Sequence, residues 1–231
     1  MATMHRVGGF LLERPNLSAL MAGAFGRLPQ SLQSLVLGAG SMQYVPPRSL
    51  LRTQGDADMW LGVVSGALRL STSLADGRAL TLEIVGPGEF FGGIAPGQEL
   101  RSVSGSTLLV LGAEAFRRLM QTEAGFGQFV AQRLSSRLAA AHHAAAQLAG
   151  ASLESRVIGR LHDLAQTFGV PMGEEVRIDL PLVQQDVADM VGASRQRVNL
   201  VVGQLVRRGL LRVDRRTRRM VLCRMDALAA A

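Results

Sequence analysis

The sequence predicts an α+β chain: an N-terminal double-stranded β-helix (a jelly-roll-like β-roll), then a long dimerisation helix, then a C-terminal winged helix-turn-helix. Three observations carry this reading. Residues 35–111 are short apolar runs punctuated by Gly and Pro, and residues 114–148 change to helical spacing. The stretch beginning at Gln184, QQDVADMVGASRQRVNLVVGQLVRRGLL, holds two short helical periods joined by a glycine turn and leads into an arginine-rich hairpin. The divisions that follow are 1–28 for an arm and short helix, 29–112 for the β-roll, 113–149 for the dimerisation helix and 150–231 for the helix-turn-helix domain.

A chain of 231 residues can build a sensor-sized domain and a smaller second one, each with its own core. Charge separates the two. Residues 181–231 carry ten arginines against Asp186, Asp189, Asp214 and Asp226, a net of +6, whereas residues 1–180 carry fifteen against fourteen acids, a net of +1. A polyanionic partner for the C-terminal part follows. Lysine is absent, so arginine number alone reflects composition and position must carry the argument. Cys223 is the only cysteine, which excludes an intramolecular disulfide, a cysteine-built zinc site and an iron–sulfur cluster, and fits a reducing cytosol. No apolar run reaches the roughly 18 residues of a membrane span, and the N-terminus lacks the ordered features of a signal peptide. A soluble cytoplasmic protein with no membrane partner is expected.

Residues 1–15, with Gly8, Gly9 and Pro15, read as a loose arm, and NLSALMAGAFGRL from Asn16 as a short helix with Leu17, Leu20, Met21, Ala24 and Leu28 on one side, capped by Asn16 or Ser18. Strand-like runs follow: SLQSLVL, MQYV, MWLGVV, GALRLSTSL, RALTLEIV, EFFGGI and RSVSGSTLLVL. Asp76-Gly77 between two of them is a hairpin turn, and Pro46-Pro47, Pro87-Gly88 and Pro96-Gly97 supply corners, so about eight strands in a barrel or sandwich are expected. Glu114 to Leu148 reads as one helix with an irregular start near Gly125 and Gly127. Leu134, Leu138, Ala141, Ala145 and Leu148 recur at spacings of 4, 3, 4 and 3, the seam of a coiled coil, and point to a homodimer. Gly150 ends that helix. Ser152 caps the next, whose buried face is Val157, Leu161, Leu164 and Phe168.

In the helix-turn-helix, Val187, Ala188 and Val191 pack inward from the first helix, Gly192 makes the turn and Ser194 caps the second helix, which buries Val198, Val201, Val202 and Leu205. Ala188 is small because two steeply crossing helices approach closely there. Arg195, Gln196 and Asn199 lie on the opposite face, near the start of the second helix. Arginine bridges guanine O6 and N7, and Gln or Asn bridges adenine N6 and N7, so these three are the candidate base readers. Arg197 points farther round and is a phosphate candidate, as is Ser194. Beyond Leu210, LLRVDRRTRRMVLC reads as strand, turn and strand with Arg215, Arg216, Arg218 and Arg219 at the tip, a wing that touches phosphates and sets affinity. The competing reading is an amphipathic helical pair with a solvated arginine cluster.

These features resemble the CRP/FNR family of transcription factors over roughly residues 30–225. LGVVSGALRL, the hairpin at Asp76-Gly77, GPGEFFG, the pair Arg101-Ser102 and the Gln184 stretch carry the resemblance. It implies a cyclic-nucleotide-binding-type roll, a dimer helix and a DNA-reading head, with Arg195, Gln196 and Asn199 at the family's base-contacting positions. Leu200 stands where several members have another arginine. Val183 replaces the threonine that usually caps the first helix, leaving Gln185 as the phosphate contact beside it. A cyclic-AMP-responsive member carries a Gly-Glu pair after GEFFG-like residues. Here the pair is Gly92-Gly93 and the loop to Leu100 is short, although Arg101 and Ser102 remain as candidate ligand contacts. Haem sensing would have to draw on His5, His142, His143 and His162, of which the adjacent pair on the dimer helix reads as solvated. No cofactor is required by the sequence; a different cyclic nucleotide, cyclic di-GMP or no effector remain.

The expected function is a dimeric, sequence-specific transcriptional regulator on a pseudopalindromic DNA duplex, not dependent on cyclic AMP, with RNA polymerase as a further candidate partner. Two other classes stay open: a constitutive architectural DNA-binding protein with a vestigial sensor, and a second-messenger-binding module acting through protein partners. Enzyme chemistry is not expected. There is no G-x-S-x-G elbow, His142 and His143 are adjacent rather than four apart, and GAGS at Gly38 runs into strand-like residues.

Overall fold

Eight strands of the N-terminal part form two four-stranded sheets. The computed structural model describes residues 5–7, 10–12, 24–26, 28–52, 59–92, 94–214 and 216–223, and the chain divides into two compact units, 1–70 with 84–140 and 71–83 with 141–231. The strands are β3 (Ser41–Val45), β4 (Leu50–Arg52), β5 (Met59–Ser65), β6 (Leu68–Ser73), β7 (Ala79–Val85), β8 (Phe90–Gly92), β9 (Gln98–Ser102) and β10 (Ser106–Gly112), ordered β3-β10-β5-β8 and β4-β9-β6-β7. Consecutive strands repeatedly fall in different sheets, the signature of a roll. The expected hairpin at Asp76-Gly77 joins β6 to β7, where the Asp76 carboxylate accepts the Arg78 N–H at 3.1 Å.

Three expectations are corrected here. Where a loose arm was expected, β1 (His5–Val7) and β2 (Phe10–Leu12) pair as a hairpin. SLQSLVL is not a strand but part of α1 (Gln30–Ala39), because its buried residues, Leu32 and Val36, are four apart while Leu35 faces out. The long helix is two. α2 (Ala113–Thr122) ends where Glu123 leaves helical geometry at φ −116° and ψ 89°, its N–H closing on the Leu119 carbonyl, and α3 (Ala124–Gly150) begins at once. Of the expected helix from Asn16, Ala24 and Phe25 are helical and buried; its remaining residues up to Gly23, including both cap candidates, lie outside the described residues.

An aromatic cluster organises the first unit. Phe126 is fully buried and meets Phe90 edge-on at 5.6 Å and Phe116 at 5.5 Å, while Phe25 tilts against Phe90 at 5.1 Å. Trp60 of β5 stacks on Phe116 with ring centroids 3.8 Å apart. Phe126, Phe129 and Val130 thus fix the start of α3 to the roll, and α3 buries no other apolar residue.

In the second unit, α4 (Leu153–Phe168) is capped as expected, the Ser152 hydroxyl accepting the Ser155 N–H at 3.1 Å, and buries Val157, Ile158, Leu161 and Leu164, with Phe168 half-buried. A hairpin that the sequence reading omitted follows, β11 (Gly169–Met172) and β12 (Glu175–Ile178). Then come α5 (Gln184–Val191), α6 (Arg195–Arg207), β13 (Leu211–Asp214) and β14 (Arg219–Leu222), with the four strands ordered β11-β12-β14-β13. The wing is therefore half of a sheet, its β14 paired on both sides. Its turn is held by Asp214, whose carboxylate accepts the backbone N–H of Arg216 at 2.8 Å and of Thr217 at 3.2 Å, and the Thr217 hydroxyl at 2.7 Å.

The Thr217 hydroxyl, followed by the Thr217 and Arg216 N–H groups, holds the Asp214 carboxyl below the usual carboxylate range. A depressed carboxyl contributes stability that is complete above its unfolded-state pKa and is lost as pH falls through the lower folded value. The Arg216 and Thr217 amide resonances are therefore expected to shift together on acidification, with a midpoint below about 3.9, and Asp214→Asn should abolish the transition. A midpoint at or above the ordinary value would show that the carboxylate does not hold the turn.

Candidate nucleic-acid interface

The reading head is built on one close crossing. Ala188 is fully buried, and Val187, Val191, Val198, Val202 and Leu205 around it are each no more than 3% exposed. Between the helices Gly192 is left-handed at φ 62° and ψ 37°, a conformation any side chain would strain, and the Ala193 N–H returns to the Ala188 carbonyl at 3.1 Å. Ser194 then starts α6, its hydroxyl accepting the Arg197 N–H at 3.4 Å. From α4, Arg156 donates to the Val191 carbonyl at 2.8 Å and ties off the end of α5. At the other end of α5, Val183 offers no side-chain acceptor, but the Asp186 carboxylate reaches back to its N–H at 2.8 Å. Half a capping box thus survives the loss of threonine, with an acid placed at the positive end of the helix dipole.

This frame displays Arg195, Gln196, Arg197 and Asn199 in solvent on the first turns of α6, with Ser194 exposed beside them. Leu200, in place of an arginine, is 70% exposed. The structure adds a contact that sequence reasoning missed: the Gln184 amide donates to Asn199 Oδ1 at 2.8 Å across the two helices. Its only sequence signal is an amide at the first position of α5. Gln185 is exposed and donates to Asp189 at 2.7 Å. In the wing, Arg216 and Arg218 are exposed and Arg215 lies outside the described residues. Arg219 instead pairs with Asp179 at 2.7 Å. Arg208 pairs with Glu154 and Arg212 with Glu175.

On the roll, Arg101 and Ser102 are neighbours in β9 but go to different partners. Arg101 Nε pairs with Glu99 at 3.0 Å, while the buried Ser102 hydroxyl donates to the Pro46 carbonyl at 2.6 Å and accepts the Ser49 N–H at 2.9 Å. Gly92 is pressed against the Trp60 ring, 2.4 Å from where a β-carbon would stand, so only glycine fits; Gly93 lies outside the described residues. The adjoining segment is gripped from α3: Arg133 pairs with Glu89 at 2.9 Å, and Arg137 donates to the Phe90 carbonyl at 3.0 Å and covers the Phe91 ring. Farther along α3, Leu134, Leu138 and Leu148 are 45%, 58% and 40% exposed, and Ala141 and Ala145 between them are also exposed. Among the described residues no cluster of three or more His, Cys, Asp or Glu side chains could hold a metal ion, and no helix is long and apolar enough to cross a membrane.

Residues 42–123 match the cyclic nucleotide-binding domain and residues 155–231 the Crp-like helix-turn-helix domain. The chain is 31% identical over 201 residues to the nitrogen fixation regulation protein FixK of Rhizobium meliloti, covering 82% of this chain and 90% of that protein. It is 28% identical over 158 residues to the CRP-like cAMP-activated global transcriptional regulator of Mycobacterium tuberculosis, covering 66% of this chain and 70% of that one. The solved structure of the c-di-GMP responsive global regulator CLP of Xanthomonas campestris aligns with a TM-score of 0.69 at 24% identity, over 84% of this chain and 99% of its own. With one domain match on the roll, one on the reading head, and a relative matched along nearly its full length, the chain belongs to the CRP/FNR family of transcriptional regulators and has the architecture of a DNA-binding regulator, not of an enzyme.

Proposed function

We propose that this protein is a homodimeric, sequence-specific transcriptional regulator whose α6 helices enter successive major grooves of a pseudopalindromic site, about 34 Å apart. The observation that carries this is the display of Arg195, Gln196 and Asn199 in solvent at the start of a helix whose other face is buried. Arg195 reads guanine. Ser194, Gln185, Arg197 and the wing arginines Arg215, Arg216, Arg218 and Arg219 hold the phosphates, Arg219 exchanging Asp179 for DNA. The exposed seam Leu134, Leu138, Ala141, Ala145 and Leu148 supports dimerisation, because apolar side chains at coiled-coil spacing gain about 25 cal/mol for each Å² they remove from water.

The effector is not cyclic AMP. Gly92-Gly93 stands where a cyclic-AMP-responsive cassette carries the glutamate for the ribose hydroxyl, and a phosphate at this site would have to displace Glu99 from Arg101 and the Pro46 and Ser49 backbone from Ser102. Cyclic di-GMP is the leading alternative, being the second messenger to which the similar Xanthomonas campestris regulator responds. A ligand on the roll would act through Arg133 and Arg137 on α3, shifting the seam and with it the placement of the reading heads.

Leu138→Arg is expected to convert the dimer to monomer in sedimentation and to reduce operator affinity at least 100-fold, since a buried unpaired charge would replace an apolar contact at the seam; a dimer with unchanged affinity would refute the seam. Arg195→Ala should reduce discrimination at one guanine by about 1–3 kcal/mol, whereas Arg216→Ala should weaken binding to all duplexes alike and lower the salt slope by about one. Equal losses on every sequence for Arg195→Ala would remove it from the base readers. In titration calorimetry against cyclic AMP, cyclic GMP and cyclic di-GMP, with and without operator duplex, cyclic di-GMP is expected to bind and to change DNA affinity. Silence from all three, with tight sequence-specific binding, would favour a constitutive factor.

A further inference from the structure

We propose that Gln184 is a specificity-determining positioning residue: by holding the Asn199 oxygen, it makes Asn199 read its base as a hydrogen-bond donor. The inference rests on the reading of α6 as the recognition helix.

Asparagine carries both a carbonyl acceptor and an NH2 donor on a torsion that rotates with little preference. Left alone on an exposed helix surface, Asn199 would offer either end to a base, and bridging adenine requires both ends at once, Oδ1 to N6 and Nδ2 to N7. The structure does not leave it alone. Gln184 Nε2 lies 2.8 Å from Asn199 Oδ1, and the two residues come from different helices, the first position of α5 and the second turn of α6. The distance between those backbones is set by the packed crossing at Ala188, Val191, Val198 and Val202 and by the Gly192 turn, so the Gln184 side chain works as a strut from a fixed base. With Gln184 donating and the oxygen directed to α5, the terminus left for the groove is the NH2 group; the same pair with both amides turned over would leave the oxygen there, so a preference for cytosine over guanine in the unsubstituted protein would overturn this polarity.

A lone donor selects by what each base shows in the major groove. Guanine offers two acceptors, O6 and N7; adenine offers N7 and thymine O4; cytosine offers only its N4 donor. Asn199 therefore favours guanine and rejects cytosine at its position in each half-site, instead of imposing the adenine that its residue type suggests. Substitutions at Gln184 then change base preference without any of them touching DNA bases. Gln184→Glu can only accept, takes the Asn199 NH2 and turns Oδ1 to the groove, where it reads the N4 donor of cytosine or N6 of adenine. Gln184→Lys can only donate and keeps the original polarity.

The test is selection from a randomised DNA duplex pool with the full-length protein and its Asn199→Ala, Gln184→Glu, Gln184→Lys and Gln184→Ala variants, followed by sequencing. Asn199→Ala should erase preference at a single position of each half-site, which identifies the base that Asn199 reads. At that position the unsubstituted protein and Gln184→Lys should favour guanine over cytosine by about tenfold, Gln184→Glu should reverse the order, and Gln184→Ala should flatten it. A uniform change in affinity from the altered charge cancels in this ratio. If Gln184→Glu binds too weakly for selection, the contrast between Gln184→Lys and Gln184→Ala decides. An unchanged preference in Gln184→Glu or Gln184→Ala, where Asn199→Ala erases it, would overturn the positioning role alone. No position sensitive to Asn199→Ala would overturn the reading of Asn199 as a base contact and the proposal with it.

Discussion

A helix that buries apolar side chains only over its opening turns sets the terms for the rest of this structure. α3 runs for 27 residues, yet Phe126, Phe129 and Val130 are its buried residues, and the leucines beyond them face solvent. The first part is fixed by aromatic packing worth several kcal/mol by the usual cost of deleting a buried Phe, about 3–5 kcal/mol each. The remainder presents Leu134, Leu138 and Leu148 to solvent, the residues that the proposed dimer would bury. Where these regions meet stand Arg133 and Arg137, one turn apart, both gripping the Glu89–Phe91 segment at the edge of the roll. A displacement of that segment cannot leave α3 untouched, because breaking an ion pair only about a fifth exposed on each side strands charges poorly reached by water.

In the reading head the electrostatic pattern matters more than the charge total. Exposed ion pairs such as Arg208–Glu154 and Arg212–Glu175 contribute little to stability, because water screens them. Their larger effect is to offset the positive charge of those arginines locally. Among the described residues no ion pair engages Arg195, Arg197, Arg216 or Arg218, and these lie at the start of α6 and at the wing tip. Arg207, exposed at the C-terminal end of α6, is likewise engaged by no ion pair among the described residues, so the exposed, uncompensated positive charge of the second unit lies along α6 and at the wing tip.

The helix-turn-helix was legible in the sequence because every one of its constraints is local. Gly192 for a left-handed turn, Ser194 for a cap and Ala188 for a close crossing are each a residue type forced by backbone geometry within a few positions, and each stands where expected. The elements that were misread depend on partners far away. SLQSLVL has the composition of a strand, and only the core that receives Leu32 and Val36 decides for helix. The β11–β12 hairpin alternates Val170 with Met172 and Val176 with Ile178 over only four residues a strand, too short a run to mark a strand, and the pairing of β12 with β14 fixes it instead. Likewise, Val183 showed that threonine capping was lost, but the replacement from Asp186 needed the geometry. The Gln184–Asn199 bond joins residues fifteen apart and has no periodic signature at all.

The chain has a single tryptophan, and it stands in the first unit with one face on Phe116 and its ring against Gly92. Indole emission responds to the polarity and stacking of its surroundings, so the intrinsic fluorescence of this protein is a native optical reporter for the Phe90–Gly92 edge of the roll. No dye or engineered label is needed to follow that edge, and unfolding watched by fluorescence will describe the roll while leaving the reading head unseen.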